Sequence, residues 1–364
     1  MQTKVVGLPV SALDTPALLI DLDAFEHNVA AMAADITSRG PAWRPHCKAH
    51  KCPAIAHKQI QAGAIGITCA KLGEAEVFAA NGVRDILIAN QIVGPIKTRR
   101  LAALARHADV MVLVDHPDNV RELDAAALAA GSRIRVLIEI ETGMQRSGVL
   151  PGRHALDLAK LIAAAPGLRF AGVQTWEGHT VGMTEGPQRQ AKIVEACQSL
   201  VAIANEIRAA GIPVGIVSAG GTGTYLTSSG VEGITEIEAG GGVFGDLWYQ
   251  SFNANVKTAM TLLAQVTSRP TPTRVLIDAG RKSIDPTIFP PAVKGLDIDG
   301  PIRLSAEHGI FYLPEPDDWP KIGNRIEMLI GYSDQCTHLH ENFYGIRGGI
   351  VETVWPILAR GKLQ

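Results

Sequence analysis

The sequence predicts a (β/α)8 TIM barrel followed by a β-rich C-terminal domain. Over the first two thirds of the chain, short apolar runs alternate with Ala-rich segments of helical periodicity. The runs are continuously apolar, as expected for parallel strands that are buried on both faces. After Tyr249 the Ala-rich helices give way to short β-like runs separated by Pro, Gly and Asp, which indicates a change of architecture.

Roughly eight strand–helix units are expected before residue 245. The predicted strands are PALLID, WRPHCK, AIGITCA, DILIAN, DVMVLVD, RIRVLIEI, RFAGVQTW and PVGIVSAG. Each is followed by a helical stretch, as the repeating unit of such a barrel requires. We expect the barrel domain to span 16–250 and the β-rich domain to span 251–364 together with 1–15. A doubly wound open sheet is the alternative for the same alternation.

Composition and charge indicate what class of protein this is and what kind of partner it binds. Of 364 residues, 46% are hydrophobic and 19% are charged, which predicts a large buried core rather than a disordered chain. The net charge is -2 and the basic residues are dispersed, so a nucleic-acid partner is not expected and substrates should be small. The N-terminus has no signal-like segment and no run approaches 18 apolar residues, which predicts a cytoplasmic protein without a membrane partner. Five scattered cysteines predict reduced thiols.

Polar residues at the strand ends are the candidates for chemistry, because reacting groups in a parallel barrel lie at the C-terminal ends of its strands. The run WRPHCKAHK places Lys48 at one such end, with His46, His50 and Lys51 beside it. Nearby positive charge and partial burial lower the pKa of an amine, which a Schiff-base lysine requires. A solvated basic loop would give the same pattern.

Two glycine-rich segments, SAGGTGT and EAGGGVFGD, close the strand PVGIVSAG and the next predicted strand after it. Backbone N–H groups of such loops can bind phosphate, and barrels commonly place a phosphate site at these strands. Tight turns use the same residues. The phosphate-site candidates are Ser218, Gly221, Thr222, Gly240 and Gly241.

The run DTPALLIDLDAFEHN, followed by RPHCKAHK, resembles the opening of the D-threonine aldolase and D-serine dehydratase family, alanine-racemase-like enzymes of fold type III. The resemblance continues through CAKLGEAE, ETGMQRSGV, GVQTWEGH, SAGGTGT, DAGRKS, SAEHG and VETVWPILARGK. It implies that pyridoxal 5′-phosphate is bound as a Schiff base by Lys48. It also implies a homodimer in which the β-rich domain of one subunit completes the active site of the other.

The resemblance also implies roles for residues at two further strand ends. Arg146 of ETGMQRSG would contact the phenolate oxygen of the cofactor. Gln174 and Trp176 would face the cofactor ring, and Trp176 stands where many relatives carry tyrosine. From the residues alone, Arg146 is equally a surface ion-pair partner and Trp176 is equally part of an ordinary core.

Relatives also hold a divalent metal (Mn, Mg, Zn or Co) through a His-x-Asp or His-x-Cys pair in a segment resembling P-G-H-C-D-P-T. Here the segment is LIGYSDQCTHLHENF, in which Tyr332 takes the place of the histidine and Asp334 remains. If this segment is a strand, Asp334, Cys336, His338 and His340 share one face and could form a new site. Asp334 and His338 are therefore the metal-ligand candidates. Alternatively, the two histidines belong to an active-site wall or a subunit contact.

The expected reaction is that of a lyase. The amino group of a β-hydroxy-D-amino acid would displace Lys48 to form an external aldimine, and retro-aldol cleavage would then yield glycine and an aldehyde. His50 or His338 would remove the proton of the β-hydroxyl group. The alternatives are a dehydratase acting on D-serine or 3-hydroxyaspartate, an amino-acid racemase and a non-catalytic cofactor-binding protein. Arg281 and Lys282 could bind a second substrate carboxylate.

Overall fold

The computed structural model describes residues 2–252 and 254–364, which form two compact units. The barrel unit comprises Ala33–Lys48, Ile55–Gly240 and Gly361–Gln364. The β-rich unit comprises the residues up to Met32, Ala49–Ala54 and Gly241–Arg360.

The first strand of the chain, Ala17–Asp21 (β1), belongs to the sheet of the β-rich unit. It pairs in antiparallel fashion with Met260–Ser268 and in parallel fashion with Asn342–Arg347. The prediction that PALLID forms a barrel strand is therefore wrong. The first four residues of β1 are all buried. A strand buried on both faces gives the same continuous apolar run in either kind of sheet, so the run does not distinguish the two.

The eight parallel strands of the barrel unit are Ala42–Trp43 (β2), Ile67–Cys69 (β3), Asp85–Gln91 (β4), Asp109–Val114 (β5), Ile134–Glu139 (β6), Leu168–Gln174 (β7), Ile216–Ala219 (β8) and Glu236–Ile237 (β9). Their order in the sheet is β2-β9-β8-β7-β6-β5-β4-β3. A parallel bridge between His46 and Thr68 joins the two ends of this series. The predicted TIM-like barrel is confirmed, with β9 as its last strand.

The helices are Leu22–Thr37 (α1), Pro53–Gln61 (α2), Leu72–Ala80 (α3), Pro95–Leu104 (α4), Pro117–Ala130 (α5), Arg153–Ala164 (α6), Pro187–Ala209 (α7), Tyr225–Ser228 (α8), Leu247–Gln250 (α9) and Ser333–Thr337 (α10). Short 3₁₀ turns cover Gln2–Val5, Val10–Ala12, Cys47–Ala49, Gly178–Thr180 and Gly241–Phe244. Helix α5 shows why these segments are helical. It begins with Pro117, whose missing N–H is not needed in the first turn, and ends at Gly131, which adopts the left-handed conformation with φ 61°.

The interior of the barrel is layered. Asp85 begins β4, and its carboxylate lies 2.7 Å from Arg44 Nη1 and 2.6 Å from Arg135 Nη2. At the C-terminal ends of β4 and β6, Gln91 Nε2 donates a hydrogen bond to Glu139 Oε2. Between these polar layers lies an apolar cluster formed by Leu87, Met111, Leu113 and Leu137. Buried charge at the strand starts is neutralised by ion pairs, which leaves the strand ends for function.

The β-rich unit contains the remaining strands, Met260–Ser268 (β10), Arg274–Ile277 (β11), Ala292–Val293 (β12), Arg303–Leu304 (β13), Gly309–Tyr312 (β14), Arg325–Leu329 (β15), Asn342–Arg347 (β16) and Ile350–Pro356 (β17). The main path through its sheet is β13-β14-β11-β10-β1-β16-β17, with β15 pairing with β10 and β12. Gly348 and Gly349 connect β16 and β17 with φ values of 56° and 77°, as a two-residue hairpin turn requires. The predicted β-rich C-terminal domain is confirmed.

Candidate active site

Lys48 follows β2 and lies in the 3₁₀ turn Cys47–Ala49, where its backbone N–H donates to His46 Nδ1 at 3.3 Å. The EAGGG segment lies directly against this turn. A Cβ atom on Gly240 would be 2.4 Å from the carbonyl oxygen of His46, so only glycine permits the approach. The structure therefore brings Lys48 and one predicted phosphate-site glycine together at the ends of the neighbouring strands β2 and β9.

The carboxylate of Glu177 is completely buried beneath the glycine-rich loop that follows β8. It accepts hydrogen bonds from Thr224 Oγ1 at 2.7 Å, Ser228 Oγ at 2.5 Å and the backbone N–H of Gly220 at 3.3 Å. Gly220 itself has φ 80°, a conformation that favours glycine. One carboxylate thus fixes both ends of the loop.

Arg189 holds the same loop from helix α7. Its guanidinium is buried, and Nε donates to the carbonyl oxygen of Thr180 at 3.0 Å while Nη2 donates to the carbonyl oxygen of Gly223. Nη1 pairs with Glu185. Neither Glu177 nor Arg189 was predicted as a site residue, because the sequence alone does not distinguish a buried charged residue from a solvated one. The motif GVQTWEGH, which contains Glu177, was the available signal.

Trp176 lies against the glycine-rich loop and is only partly buried. A Cβ atom on Gly221 would lie 2.3 Å from Cζ3 of the indole, so the tryptophan occupies the space that a side chain at this position would need. Thr222, the next residue, is buried. The contact places Trp176 beside the predicted phosphate loop rather than in an ordinary core.

Arg146 is located on the loop after β6, as predicted. Its side chain is 53% exposed, and Nη2 lies 3.4 Å from Oε1 of the buried Glu139. Glu139 also accepts hydrogen bonds from Ser147 Oγ at 2.9 Å and Gln91 Nε2 at 2.5 Å. The guanidinium is therefore oriented by a carboxylate at the strand end and keeps exposed N–H donors for a ligand.

Gln174 and Ser218 end neighbouring strands, and both contact a buried carboxyl group. Ser218 Oγ lies 2.9 Å from Glu238 Oε1 and 3.0 Å from Glu236 Oε1, and the side chain of Gln174 also hydrogen bonds with Glu238. Burial, with repulsion from Glu236 second, raises the pKa of Glu238 to about 8. The structure thus uses the Ser218 hydroxyl inside the barrel, beside two carboxyl groups. It gives no support to a phosphate contact by this side chain.

The residues at the C-terminal ends of the barrel strands fit the phosphorylated cofactor that the sequence resemblance implies. Glycine at positions 221 and 240 lets the two loops lie against Trp176 and His46, and Lys48 supplies an amine at a neighbouring strand end. The buried Oε1 of Gln174 has no hydrogen-bond partner among the described residues, so it can accept one from a ligand. Arg146 supplies an exposed cation.

The other predicted catalytic residues and Gly241 lie in the β-rich unit. The imidazole of His50 is fully buried, and its Nδ1 accepts a hydrogen bond from Cys52 N–H at 3.0 Å. His338 is exposed, with Nδ1 3.4 Å from the carbonyl oxygen of Asp334. Gly241 begins a 3₁₀ turn, and a Cβ atom there would lie 2.4 Å from the Tyr249 ring.

The segment that carries the predicted metal ligands is not a strand. Ser333–Thr337 forms helix α10, so the alternation that would have placed four ligands on one face does not apply. His340 Nε2 and Cys336 Sγ instead lie 2.7 Å and 3.3 Å from the carbonyl oxygen of Ser283. In the part of the chain that the structure describes, no group of three His, Cys, Asp or Glu residues could hold a metal ion.

Tyr332 is held in a network of aromatic and carboxyl groups. Its phenol hydrogen bonds with Asp334 and with the phenol of Tyr249, and its ring packs edge-on against Trp248 with centroids 4.5 Å apart. Burial, followed by the nearby Asp334 carboxylate, raises the pKa of Tyr332. Asp246 accepts hydrogen bonds from the backbone N–H groups of Tyr249 at 2.8 Å and of Ser333 at 2.7 Å, and burial raises its pKa to about 7.

Comparison with known proteins covers nearly the whole chain. Residues 20–247 match the alanine racemase N-terminal domain, and residues 259–346 match a putative serine dehydratase domain. A D-threonine aldolase of Arthrobacter sp. is 36% identical, with 98% of this chain and 95% of that protein aligned. A 3-hydroxy-D-aspartate aldolase of Paracoccus denitrificans (strain Pd 1222) is 33% identical, with 98% and 94% aligned. The crystal structure of a D-threonine aldolase from Filomicrobium marinum superposes with a TM-score of 0.93 at 36% identity, over 99% of both chains.

Proposed function

Because the chain belongs to the alanine racemase-like family that includes D-threonine aldolases, we propose that it cleaves β-hydroxy-D-amino acids into glycine and an aldehyde. Family membership confirms the resemblance that the sequence motifs indicated. The observation that carries the proposal is near-full-length similarity to two aldolases, whose names specify different groups at Cβ. The reaction that the two names have in common is cleavage of the Cα–Cβ bond.

Enzymes of this family use pyridoxal 5′-phosphate, which supplies an electron-withdrawing ring that stabilises negative charge at Cα. We propose that Lys48 holds it covalently through its side-chain amine. Gly221, Thr222 and Gly240 would bind its phosphate through backbone N–H groups. Arg146 and Gln174 would contact polar atoms of its ring. The positions of these residues at the strand ends support this assignment.

Glu177 and Arg189 are proposed as positioning residues of the phosphate loop. Their hydrogen bonds to Thr224 and to the Gly223 carbonyl leave the loop few other conformations. A loop that is rigid before binding loses less conformational entropy when it binds an anion. These two residues would act on cofactor affinity without touching the substrate.

Removal of the β-hydroxyl proton needs a base, and an imidazole changes its charge near neutral pH. We propose His338 before His50 for this step. His338 is exposed, whereas His50 is completely enclosed and its Nδ1 already accepts a hydrogen bond. His50 remains the alternative base.

The proposed substrates carry an uncharged group at Cβ. Lys282, one of the two cations predicted to bind a second carboxylate, lies 2.8 Å from Glu307 Oε1. Nε of Arg281 donates to the carbonyl oxygen of Leu304 at 3.2 Å. Lys282 is thus already paired with a carboxylate, which favours D-threonine or D-phenylserine over 3-hydroxyaspartate as the first substrate to test.

A product assay tests the proposal. Purified protein with pyridoxal phosphate is incubated with D-threonine or D-phenylserine, with Lys48→Ala as the matched control. Glycine and aldehyde from the wild type alone are expected. Keto acid and ammonia would instead establish dehydration, the second candidate, which is favoured by the match of residues 259–346 to a serine dehydratase domain. Exchange of the Cα proton without cleavage would indicate a racemase.

We further propose that residues 16–250 bind the cofactor and that residues 251–364, with 1–15, complete the active site in a cytoplasmic homodimer. Light scattering of the purified protein tests the dimer, and a monomeric mass with full activity would contradict it. Within the described residues, helices with the length and apolar character needed to cross a membrane are absent.

A further inference from the structure

The resemblance implies a divalent metal at the His-x-Asp pair of the C-terminal domain, but the residues present do not fit one. We infer that this chain holds no catalytic divalent metal there, and that the hydrogen bond between Tyr332 and Asp334 occupies the place of the metal pair. The inference rests on the proposed aldolase function, because the metal would act in that reaction.

Tyr332 offers a poor ligand in place of the histidine. A phenol is neutral at ordinary pH, and the phenol of Tyr332 hydrogen bonds with the Asp334 carboxylate. A cation that took the place of the phenol at Asp334 would have to break this hydrogen bond. A single carboxylate with water binds a divalent ion weakly, so the exchange is unfavourable.

Aromatic packing fixes Tyr332 in this position. Its ring lies edge-on to Trp248 at 4.5 Å and to Tyr249 at 5.7 Å, with an interplanar angle of 76° in both cases. The phenols of Tyr249 and Tyr332 also hydrogen bond with each other. Rotating Tyr332 away to expose Asp334 would therefore disrupt two ring contacts and two hydrogen bonds.

The other potential metal ligands of the segment contact different partners. Cys336 and His340 both contact the carbonyl oxygen of Ser283, and Cys336 is completely buried. His338 approaches Asp334 only through the main-chain oxygen, at 3.4 Å. Soft thiol, imidazole and carboxylate groups are thus present in the sequence, yet their side chains do not converge on one point.

Metal binding by the whole protein, loaded with pyridoxal phosphate, tests the inference without using activity. Free Mn²⁺ is measured by electron paramagnetic resonance in titrations of the wild type, Tyr332→His and Tyr332→Phe. We expect no saturable binding by the wild type or Tyr332→Phe. Tyr332→His restores the pair of the relatives, and its Mn²⁺ affinity should rise at least about 100-fold, since each good ligand contributes on this scale.

The thermal midpoint supplies a second readout that also reports folding. Mn²⁺ should raise the midpoint of Tyr332→His and leave the wild type unchanged, because only a ligand of the native state stabilises it. Saturable wild-type binding that Asp334→Asn abolishes would overturn the inference. If neither the wild type nor a folded Tyr332→His binds Mn²⁺, the assignment of the loss to Tyr332 is wrong.

A failure of the metal inference can be distinguished from a failure of the proposed aldolase function. A wild type that binds no metal but cleaves D-threonine equally with and without a chelator supports both conclusions. Absence of any product, with the expected Mn²⁺ pattern, would remove the aldolase proposal and leave the metal inference in place. Cleavage that a chelator stops and Mn²⁺ restores would support the aldolase and refute the metal inference.

Discussion

The carboxyl group of Glu238 is enclosed in the barrel, and replacing it with an amide tests its charge state. Because burial raises its pKa to about 8, Glu238 should be largely protonated at neutral pH. The amide of Glu238→Gln matches the size and neutrality of the protonated acid and can keep its contacts with Ser218 and Gln174. We therefore expect little loss of stability in acid and a gain at higher pH.

The sign and size follow from linkage. Free glutamate ionises near 4.5 and folded Glu238 near 8, so between these values the folded state holds the extra proton and stability falls as pH rises. At about 1.36 kcal/mol per pKa unit, the wild type loses roughly 5 kcal/mol over the whole window and about 3 kcal/mol between about pH 5.5 and 8. Glu238→Gln cannot show this loss, so its advantage should grow by about 3 kcal/mol.

Urea denaturation at the two pH values measures the free energy of unfolding of each protein. Glu236→Gln is the matched control, because Glu236 lies 2.9 Å from Nε of the buried Arg44 and is needed as an anion. Its amide should cost about 3–5 kcal/mol at the lower pH and less at the higher pH, because the repulsion that helps to raise the pKa of Glu238 is then absent. Parallel pH profiles for the wild type and Glu238→Gln would refute the reasoning, since they would mean that Glu238 ionises alike in both states.

Three further predictions concern single groups. Lys48→Ala should abolish the visible absorbance of bound cofactor and lower kcat by about 10⁴-fold or more, measured by spectroscopy and product assay. Glu177→Ala removes the carboxylate that accepts hydrogen bonds from Thr224 and Ser228, and it should cost about 2–3 kcal/mol in urea denaturation. It should also weaken cofactor affinity in a fluorescence titration, and unchanged affinity would remove its positioning role. Asp246→Ala removes the cap of helix α9 and should cost about 1–2 kcal/mol, visible as a lower thermal midpoint; an unchanged midpoint would contradict this.

The barrel was predictable from the sequence because burial on both faces leaves continuous apolar runs. The same property led to the wrong assignment of Ala17–Asp21 to the barrel, since this segment is equally apolar but pairs in the other sheet. Pairing partners depend on the whole fold rather than on local composition. The glycine-rich segment EAGGGVFGD indicated the strand Glu236–Ile237 before it, although two residues are too few for periodicity to detect.

Site residues could be predicted from the sequence where their position after a strand is sufficient to identify them. Lys48, Arg146 and the glycine-rich loops follow strand ends, and the structure places them there. Glu177 and Arg189 could not be identified, because their roles arise from burial. The segment after Tyr332 was misjudged because alternating polar residues suit a strand or a short helix equally, and Ser333–Thr337 is only five residues long.

The residues proposed to hold the cofactor and the residues around Tyr332 lie in different units of the structure. The glycine-rich loop is fixed by Glu177 and Arg189, which lie with Lys48 in the barrel unit, so changes in the β-rich unit need not alter how that loop is held. Tyr332 lies in the β-rich unit, within its own network of Tyr249 and Asp334. A histidine-to-tyrosine difference there can therefore remove a metal while the loop and the lysine persist. In this chain the barrel would determine that a carbanion forms at Cα, and the C-terminal segment would determine what assists the departure of the group at Cβ.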